Sequence, residues 1–292
     1  MRRYFITGGT GFIGRALVRE LLKRRDTEKI TCLTRGRNDL IEHPKLDYWR
    51  GDITTVEFPG EKHRFTDLIH AAAEANDLLS PDQPRYYHAV VEGADRIFEW
   101  SHTRDFHRIL FVSSGCVSKG NSTYCRAKRL SEWLIERHNL TAKVARVYSV
   151  VGEELPLEGQ YAIGRFVGSA LKGEVSFYRS HSVRSYLHVE DCARHLLDIL
   201  ERGDEGKAYD VGSTKTITVT ELAYLVANVF QVPIRVIKEK HHPTSVVYVP
   251  GVDRWQGEET ITLVEALRRI RATFADLCDT NLEPFQTTRK VH

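Results

Sequence analysis

Short apolar runs alternate with longer amphipathic stretches over the first half of the chain. Tyr4-Phe5-Ile6 is followed by a segment from Arg15 to Lys23 that is rich in good helix formers. Further apolar runs at 29–34, 46–49, 67–71, 108–113 and 143–148 are separated by helix-like stretches. This alternation predicts an α/β fold, a Rossmann-like doubly wound parallel sheet with right-handed crossovers and helices on both faces. After Gly152 the pattern breaks at Pro156, Gly159 and Gly164. A helix is expected from about Ile163 to Leu171, with β-prone pieces around 174–187 and 234–250. Val189 to Arg202 reads as an amphipathic helix with Asp191 near its start. Thr218 to Val229 opens on a cap-like Thr-Val-Thr-Glu, and Leu263 to Leu277 is a last helix. The expected organisation is a large domain over 1–150 to which 187–213 returns. A smaller C-terminal lobe takes 151–186 and 214–279, and 280–292 form a tail.

Composition narrows the function classes. A chain of 292 residues can bury one large core with a lobe attached. The net charge of +3 is too small to argue for nucleic acid, and no basic run is interleaved with aromatics. Lys23-Arg24-Arg25 reads as a solvated helix end. The five cysteines are scattered without metal spacing, which predicts free thiols in a reducing compartment. His241-His242 reads as plain surface, so no metal is expected. With no signal peptide ahead of the first strand and no apolar run of membrane length, a cytoplasmic protein with no membrane contact is expected.

Two constellations carry chemistry. Thr7-Gly8-Gly9-Thr10-Gly11-Phe12-Ile13-Gly14 stands between the first strand and the first helix. Gly8 suits a tight turn, Gly11 lets a diphosphate approach the main chain, and Gly14 lets the helix pack on the strand, with the helix N-terminus facing the phosphates. Its G-x-x-G-x-x-G spacing differs from the G-x-G-x-x-G of ordinary dehydrogenases. The second constellation is Tyr124 and Lys128, spaced i, i+4 at the start of a helix expected to reach about His138. That spacing sets a phenol and an ammonium about 6 Å apart on one face. A lysine charge makes a phenol a workable general acid/base. Ile109-Leu110-Phe111-Val112 ends in Ser113-Ser114, placing a hydroxyl at the C-terminal edge of the sheet.

Together these residues resemble the extended short-chain dehydrogenases/reductases of the NAD(P)-dependent nucleotide-sugar epimerase/dehydratase/ketoreductase family. Gly51-Asp52-Ile53, Leu68 to Ala73, Arg146 to Gly152, Arg184 to Asp191 and Tyr209 to Gly212 extend the resemblance over most of the chain. It implies a catalytic set of Ser114, Tyr124 and Lys128. It also implies a cofactor site of Gly8, Gly11, Phe12, Ile13, Gly14, Asp52, Ile53, Ala71, Ala72 and Tyr148, together with Tyr124 and Lys128. The substrate set it implies is Ser114, Ser149, Tyr178 and Arg184, with Arg184 at the position of a diphosphate-binding arginine. A homodimer through the two helices that carry Ile97, Phe98, Trp100 and Leu130, Trp133, Leu134, Ile135 is implied too.

Departures from the family pattern refine the reading. Gly115-Cys116 stands where sugar 4,6-dehydratases carry an Asp-Glu pair, so water loss is not expected. The loop to Tyr124 is short, as in reductases of 4-keto-6-deoxy sugar nucleotides. Ser149 replaces the usual Asn, and Ser118 a usual aromatic. Arg35 and Arg37 follow the second strand where NAD enzymes carry an acid, which favours NADP(H) over NAD(H). The expected activity is NADPH-dependent reduction of a 4-keto nucleotide sugar. The alternatives are an epimerase that retains its cofactor, a reductase of a non-sugar carbonyl, and a non-catalytic dinucleotide sensor.

Overall fold

A computed structural model describes residues 1–36, 40–73, 83–118, 120–157, 161–237 and 245–280. Its first half runs β1 (Arg2–Thr7), α1 (Phe12–Lys23), β2 (Thr27–Thr34), β3 (Leu46–Arg50), β4 (Asp67–His70) and α2 (Gln83–Ser101). β5 (Arg108–Ser114), a 3-10 turn (Gly115–Ser118), α3 (Thr123–Arg137) and β6 (Ala142–Val147) follow. Next come β7 (Ser149–Val151), α4 (Ala162–Ala170), β8 (Val175–Tyr178), β9 (Val183–His188), α5 (Val189–Arg202) and β10 (Ala208–Val211). The last part holds β11 (Thr216–Thr218), α6 (Val219–Phe230), β12 (Ile234–Ile237), β13 (Val247–Tyr248) and α7 (Leu263–Thr280).

Seven strands pair in parallel in the order β10-β6-β5-β4-β1-β2-β3. The middle of β1, Tyr4 to Ile6, is apolar because both of its faces are covered. Tyr4 and Ile6 meet Leu17 and Leu21 of α1 and Leu196 and Leu200 of α5. Phe5, pointing the other way, meets Ile97 and Phe98 of α2 and Leu134 of α3. Ile97, Phe98, Trp100, Leu134 and Ile135 are therefore core residues, whereas Trp133 stays half exposed.

A second apolar core joins Phe166, Phe177, Tyr186, Leu222, Val226 and Ile270 from α4, β8, β9, α6 and α7. Phe12 packs against both cores. Asp191 at the start of α5 is fully buried and ties the two together. It accepts from Ile261 N at 3.0 Å and from the Thr260 backbone and hydroxyl, and it pairs with Arg194. Burial pushes its carboxyl up, but these donors outweigh burial and hold it below the ordinary carboxylate range. Thr218 and Glu221 close the capping box expected at α6.

Some boundaries differ from the sequence reading. β2 starts two residues earlier and α7 runs three residues further, since tertiary packing decides where such ends stop fraying. Residues 251–257, grouped above with the lobe, run beside β10. Asp210 N donates to Asp253 O at 3.0 Å, and Trp255 N to Asp210 O at 2.8 Å. Among the described residues no helix is long and apolar enough to cross a membrane. Arg37, His241-His242 and the tail from 281 lie outside the described residues.

Candidate active site

The strand order reverses between β1 and β4, which opens a crevice at their C-terminal ends. Gly8 turns there with φ +73°, and a Cβ on it would lie 2.6 Å from Ala72 N and 2.7 Å from the Ala71 carbonyl. A Cβ on Gly14 would overlap Gly8 O and come within 2.7 Å of Gly9 Cα. The first turn of α1 thus sits flush on the glycine turn. Gly11 is its N-cap and gives no side-chain cap, and no acidic residue stands in the first turn. Helix geometry leaves the N–H groups there without an intrahelical acceptor, at the positive end of the dipole. The side chains of Phe12 and Ile13 pack into the core, so what they present to the crevice is backbone.

A cavity of about 310 Å³ occupies this crevice. Gly8, Gly11, Arg35, Asp52, Ile53 and Ala72, all drawn from the sequence, line it together with His70 and Val90. Asp52 is held by Thr54, whose N–H and hydroxyl donate to Oδ1 at 2.9 and 2.7 Å. A larger hollow of about 580 Å³ beside Arg202, Lys207 and Trp255 contains none of the predicted site residues.

His70 was not anticipated. Its ring stacks on Phe111 and its Nδ1 lies 2.6 Å from Thr7 Oγ1. Burial, helped by the charge of Lys128, pushes its pKa down to about 3, so it is neutral at physiological pH. Lys128 is itself buried, with Nζ donating to Val112 O at 2.9 Å and lying 4.7 Å from the Phe111 ring centroid. Burial lowers its pKa to about 8, against the opposing pull of Glu132 and Cys116. Ser122 caps α3 by accepting from Cys125 N. Tyr124, in the first turn, packs with Val90 and Ala127, and Val90 is part of the cavity wall.

Ser114 ends β5 and is nearly buried. Its Oγ accepts from Cys116 N at 3.4 Å and lies 3.4 Å from Tyr248 Oη. No carboxylate stands in the 3-10 turn after it. A Cβ on Gly115 would overlap the Tyr148 ring, so an acidic side chain there would displace that ring. Tyr148 is not among the cavity residues. Its hydroxyl donates to Asp210 Oδ2 at 3.0 Å and its ring lies 4.8 Å from that of Tyr248.

From the second core, Arg184 of β9 pairs in register with Tyr248 of β13. Its guanidinium lies 5.8 Å from the Tyr248 ring and donates to Val183 O and Val246 O. Arg184, Ser114 and Tyr148 thus all meet at Tyr248. Ser149 stands on β7 beside Tyr186, and Tyr178 ends β8 in a separate ribbon with β12, 44% exposed. Tyr248 escaped the sequence reading because Val246-Val247-Tyr248-Val249 looks like any β-prone run. Only the pairing of β13 with β9 carries it to Ser114.

Residues 4–212 match the model of the NAD dependent epimerase/dehydratase family, and the chain belongs to that family. It is an enzyme of the extended short-chain dehydrogenase type. It is 28% identical over 244 residues to a putative UDP-glucose 4-epimerase of Methanocaldococcus jannaschii, covering 74% of this chain and 79% of the relative. The UDP-glucose 4-epimerase of Thermotoga maritima, solved with UDP-glucose, shares the fold at a TM-score of 0.77 and 20% identity, over 94% of this chain and 99% of that one. A dTDP-glucose 4,6-dehydratase of Streptomyces venezuelae, solved with NAD, does so at 0.80 and 21% identity, over 94% and 97%.

Proposed function

We propose that this enzyme reduces a 4-keto, 6-deoxy nucleotide sugar with NADPH. What supports the reading is that Tyr124 packs on Val90 of the cavity wall and Lys128 lies against Phe111, on which His70 of that wall stacks, with no carboxylate in the turn after Ser114. The flush packing of Gly8 and Gly14 leaves a cradle that suits a diphosphate. On this reading Gly8, Gly11 and the N–H groups of Phe12, Ile13 and Gly14 hold the cofactor's phosphates. Asp52, Ile53, Ala71 and Ala72 take the adenosine side, and Tyr148 borders the nicotinamide side. Arg35, with Arg37 beyond it in sequence, favours a 2′-phosphate. NAD, which the dehydratase neighbour holds, is the alternative cofactor.

When bound, the nicotinamide cofactor supplies the hydride. The chain's own groups manage the oxygen that becomes charged. Tyr124 gives it a proton, Ser114 hydrogen-bonds it, and the Lys128 ammonium stabilises negative charge on the phenol. Arg184 neutralises the substrate diphosphate, while Tyr178 borders the base and Ser149 the sugar. The large sheet with 187–213 is assigned to the cofactor, and 151–186 with 214–279 to the substrate, apart from 251–257, which run beside β10. The free thiols of Cys32, Cys116, Cys125 and Cys192 support a reducing, cytoplasmic setting. We assign the enzyme a homodimer through α2 and α3.

Changing Tyr124 to Phe should lower turnover of a 4-keto-6-deoxy nucleotide sugar by about 10²–10⁴-fold, the usual worth of a general acid. Cofactor affinity should stay within a few-fold. Near-normal turnover by this variant would remove the assignment. Epimerisation is the second reading, favoured by the two relatives named as UDP-glucose 4-epimerases. It is recognised by interconversion of UDP-glucose and UDP-galactose without net consumption of cofactor.

A further inference from the structure

We propose that Tyr248 is a specificity-determining residue, whose hydroxyl donates to a sugar oxygen next to the reacting carbon from the lobe side of the site. The inference rests on the nucleotide-sugar reading above and deepens it. No motif points to this residue; its placement does. The Tyr248 ring is fixed on two sides, by the Tyr148 ring at 4.8 Å and by the Arg184 guanidinium at 5.8 Å. The short strand that carries it is fixed as well. Val183 N donates to Val246 O at 3.0 Å, Val246 N donates to Ser182 Oγ at 3.0 Å, and Arg184 also donates to Val246 O.

A ring held this firmly has little freedom in where its hydroxyl points. It points at Ser114, with 3.4 Å between the two oxygens. That separation is long for a hydroxyl pair, whose usual distance is about 2.7–2.8 Å. The contact therefore satisfies neither hydroxyl well. An oxygen set to one side of the pair, at the apex of a triangle over the 3.4 Å separation, can accept from both at ordinary distance. Tyr248 is also a neutral donor: burial pushes its pKa up, so it stays a neutral phenol at physiological pH and cannot act as a base.

The chemistry that fits is a sugar ring bearing a keto or hydroxyl oxygen at this position. An analogue without it would leave a half-buried phenol without that acceptor, and sites built to hydrogen-bond a substrate oxygen reject such analogues strongly. In this protein the lobe would thus supply a neutral donor beside Ser114, where the turn after Ser114 supplies no charged group.

The test is calorimetric titration of the full chain, loaded with NADP⁺, by UDP, UDP-glucose, dTDP and dTDP-glucose. Tyr248→Phe keeps the ring and its contacts with Tyr148 and Arg184 and removes only the hydroxyl. It is expected to weaken the sugar nucleotide by about 2- to 10-fold, the worth of one neutral hydrogen bond, and to leave the bare nucleotide unchanged. Unchanged sugar-nucleotide binding would overturn the role of Tyr248 while leaving the nucleotide-sugar reading in place. Equal loss for bare and sugar nucleotides would overturn it in favour of a structural role. A parent protein that binds no sugar nucleotide at all would remove the substrate class, and this proposal with it.

Discussion

Arg35 follows Thr34 at the end of β2 and lines the cavity along with Asp52. Thr34 is buried and its hydroxyl accepts from Gly36 N at 3.2 Å, so the turn that presents the arginine is ordered around it. A guanidinium at this point meets a 2′-phosphate with charge-assisted bonds, whereas a 2′-hydroxyl would gain little from it. Arg35→Asp should weaken NADPH binding by about 1.5–3 kcal/mol. The lower end is expected because the side chain is exposed and its charge screened. NADH should lose much less. Fluorescence titration with both cofactors decides, and an equal loss, or a parent preference for NADH, contradicts the assignment. Arg184 shows how a single residue can serve two ends. Its donations to Val183 O and Val246 O fix the Tyr248 strand while its guanidinium also lies 5.8 Å from the Tyr248 ring.

At the scale of the element, α3 carries a row of three functional groups at i, i+4 and i+8: Tyr124, Lys128 and Glu132. Glu132 binds the sheet edge, accepting from Ser113 Oγ at 2.5 Å and from Arg146 at 3.1 and 2.7 Å. Its charge also helps to keep the buried Lys128 protonated. With the Lys128 pKa near 8, its ammonium is lost as pH rises through that value. The alkaline limb of kcat/KM is therefore expected near pH 8, and Glu132→Gln should move it to lower pH. A pH–rate profile in which the limb stays in place would contradict the coupling. Folding stability carries the opposite sign. A lysine with a depressed folded-state pKa binds fewer protons than in the unfolded chain between about 8 and its ordinary 10.5, so its cost to stability is relieved as pH rises across that window.

For the molecule as a whole, the two cores decide what remains for association. Ile97, Phe98, Trp100, Leu134 and Ile135 are consumed by the packing of α2 and α3 on the sheet. What α3 leaves outside is Trp133, half exposed, with Arg137 stacked at 5.7 Å from its ring. The small cluster of Val90 and Ala127, with Tyr87, Val91 and Tyr124, lies between α2 and α3. A two-fold pairing of these helices would cover Trp133 in both copies. Light scattering at micromolar concentration should give twice the 33.5 kDa chain mass, and Trp133→Glu should shift it to one chain mass. A parent protein at one chain mass would exclude the dimer.

Much of this architecture is written locally. The apolar runs became the strands of the large sheet, and the glycine turn lies where its spacing puts it, because backbone sterics and burial period act on neighbouring residues. Tyr124 and Lys128 share a helix for the same reason. What the sequence leaves open is which distant groups meet once those elements pack. Tyr248 and Ser114 are 134 positions apart, and nothing local to either names the other. Asp191 holds Thr260 and Ile261 across a gap of 69 or 70 positions. The depressed pKa of Lys128 and the neutrality of His70 likewise follow from dehydration. Dehydration belongs to the packed interior, so only the tertiary structure could decide it.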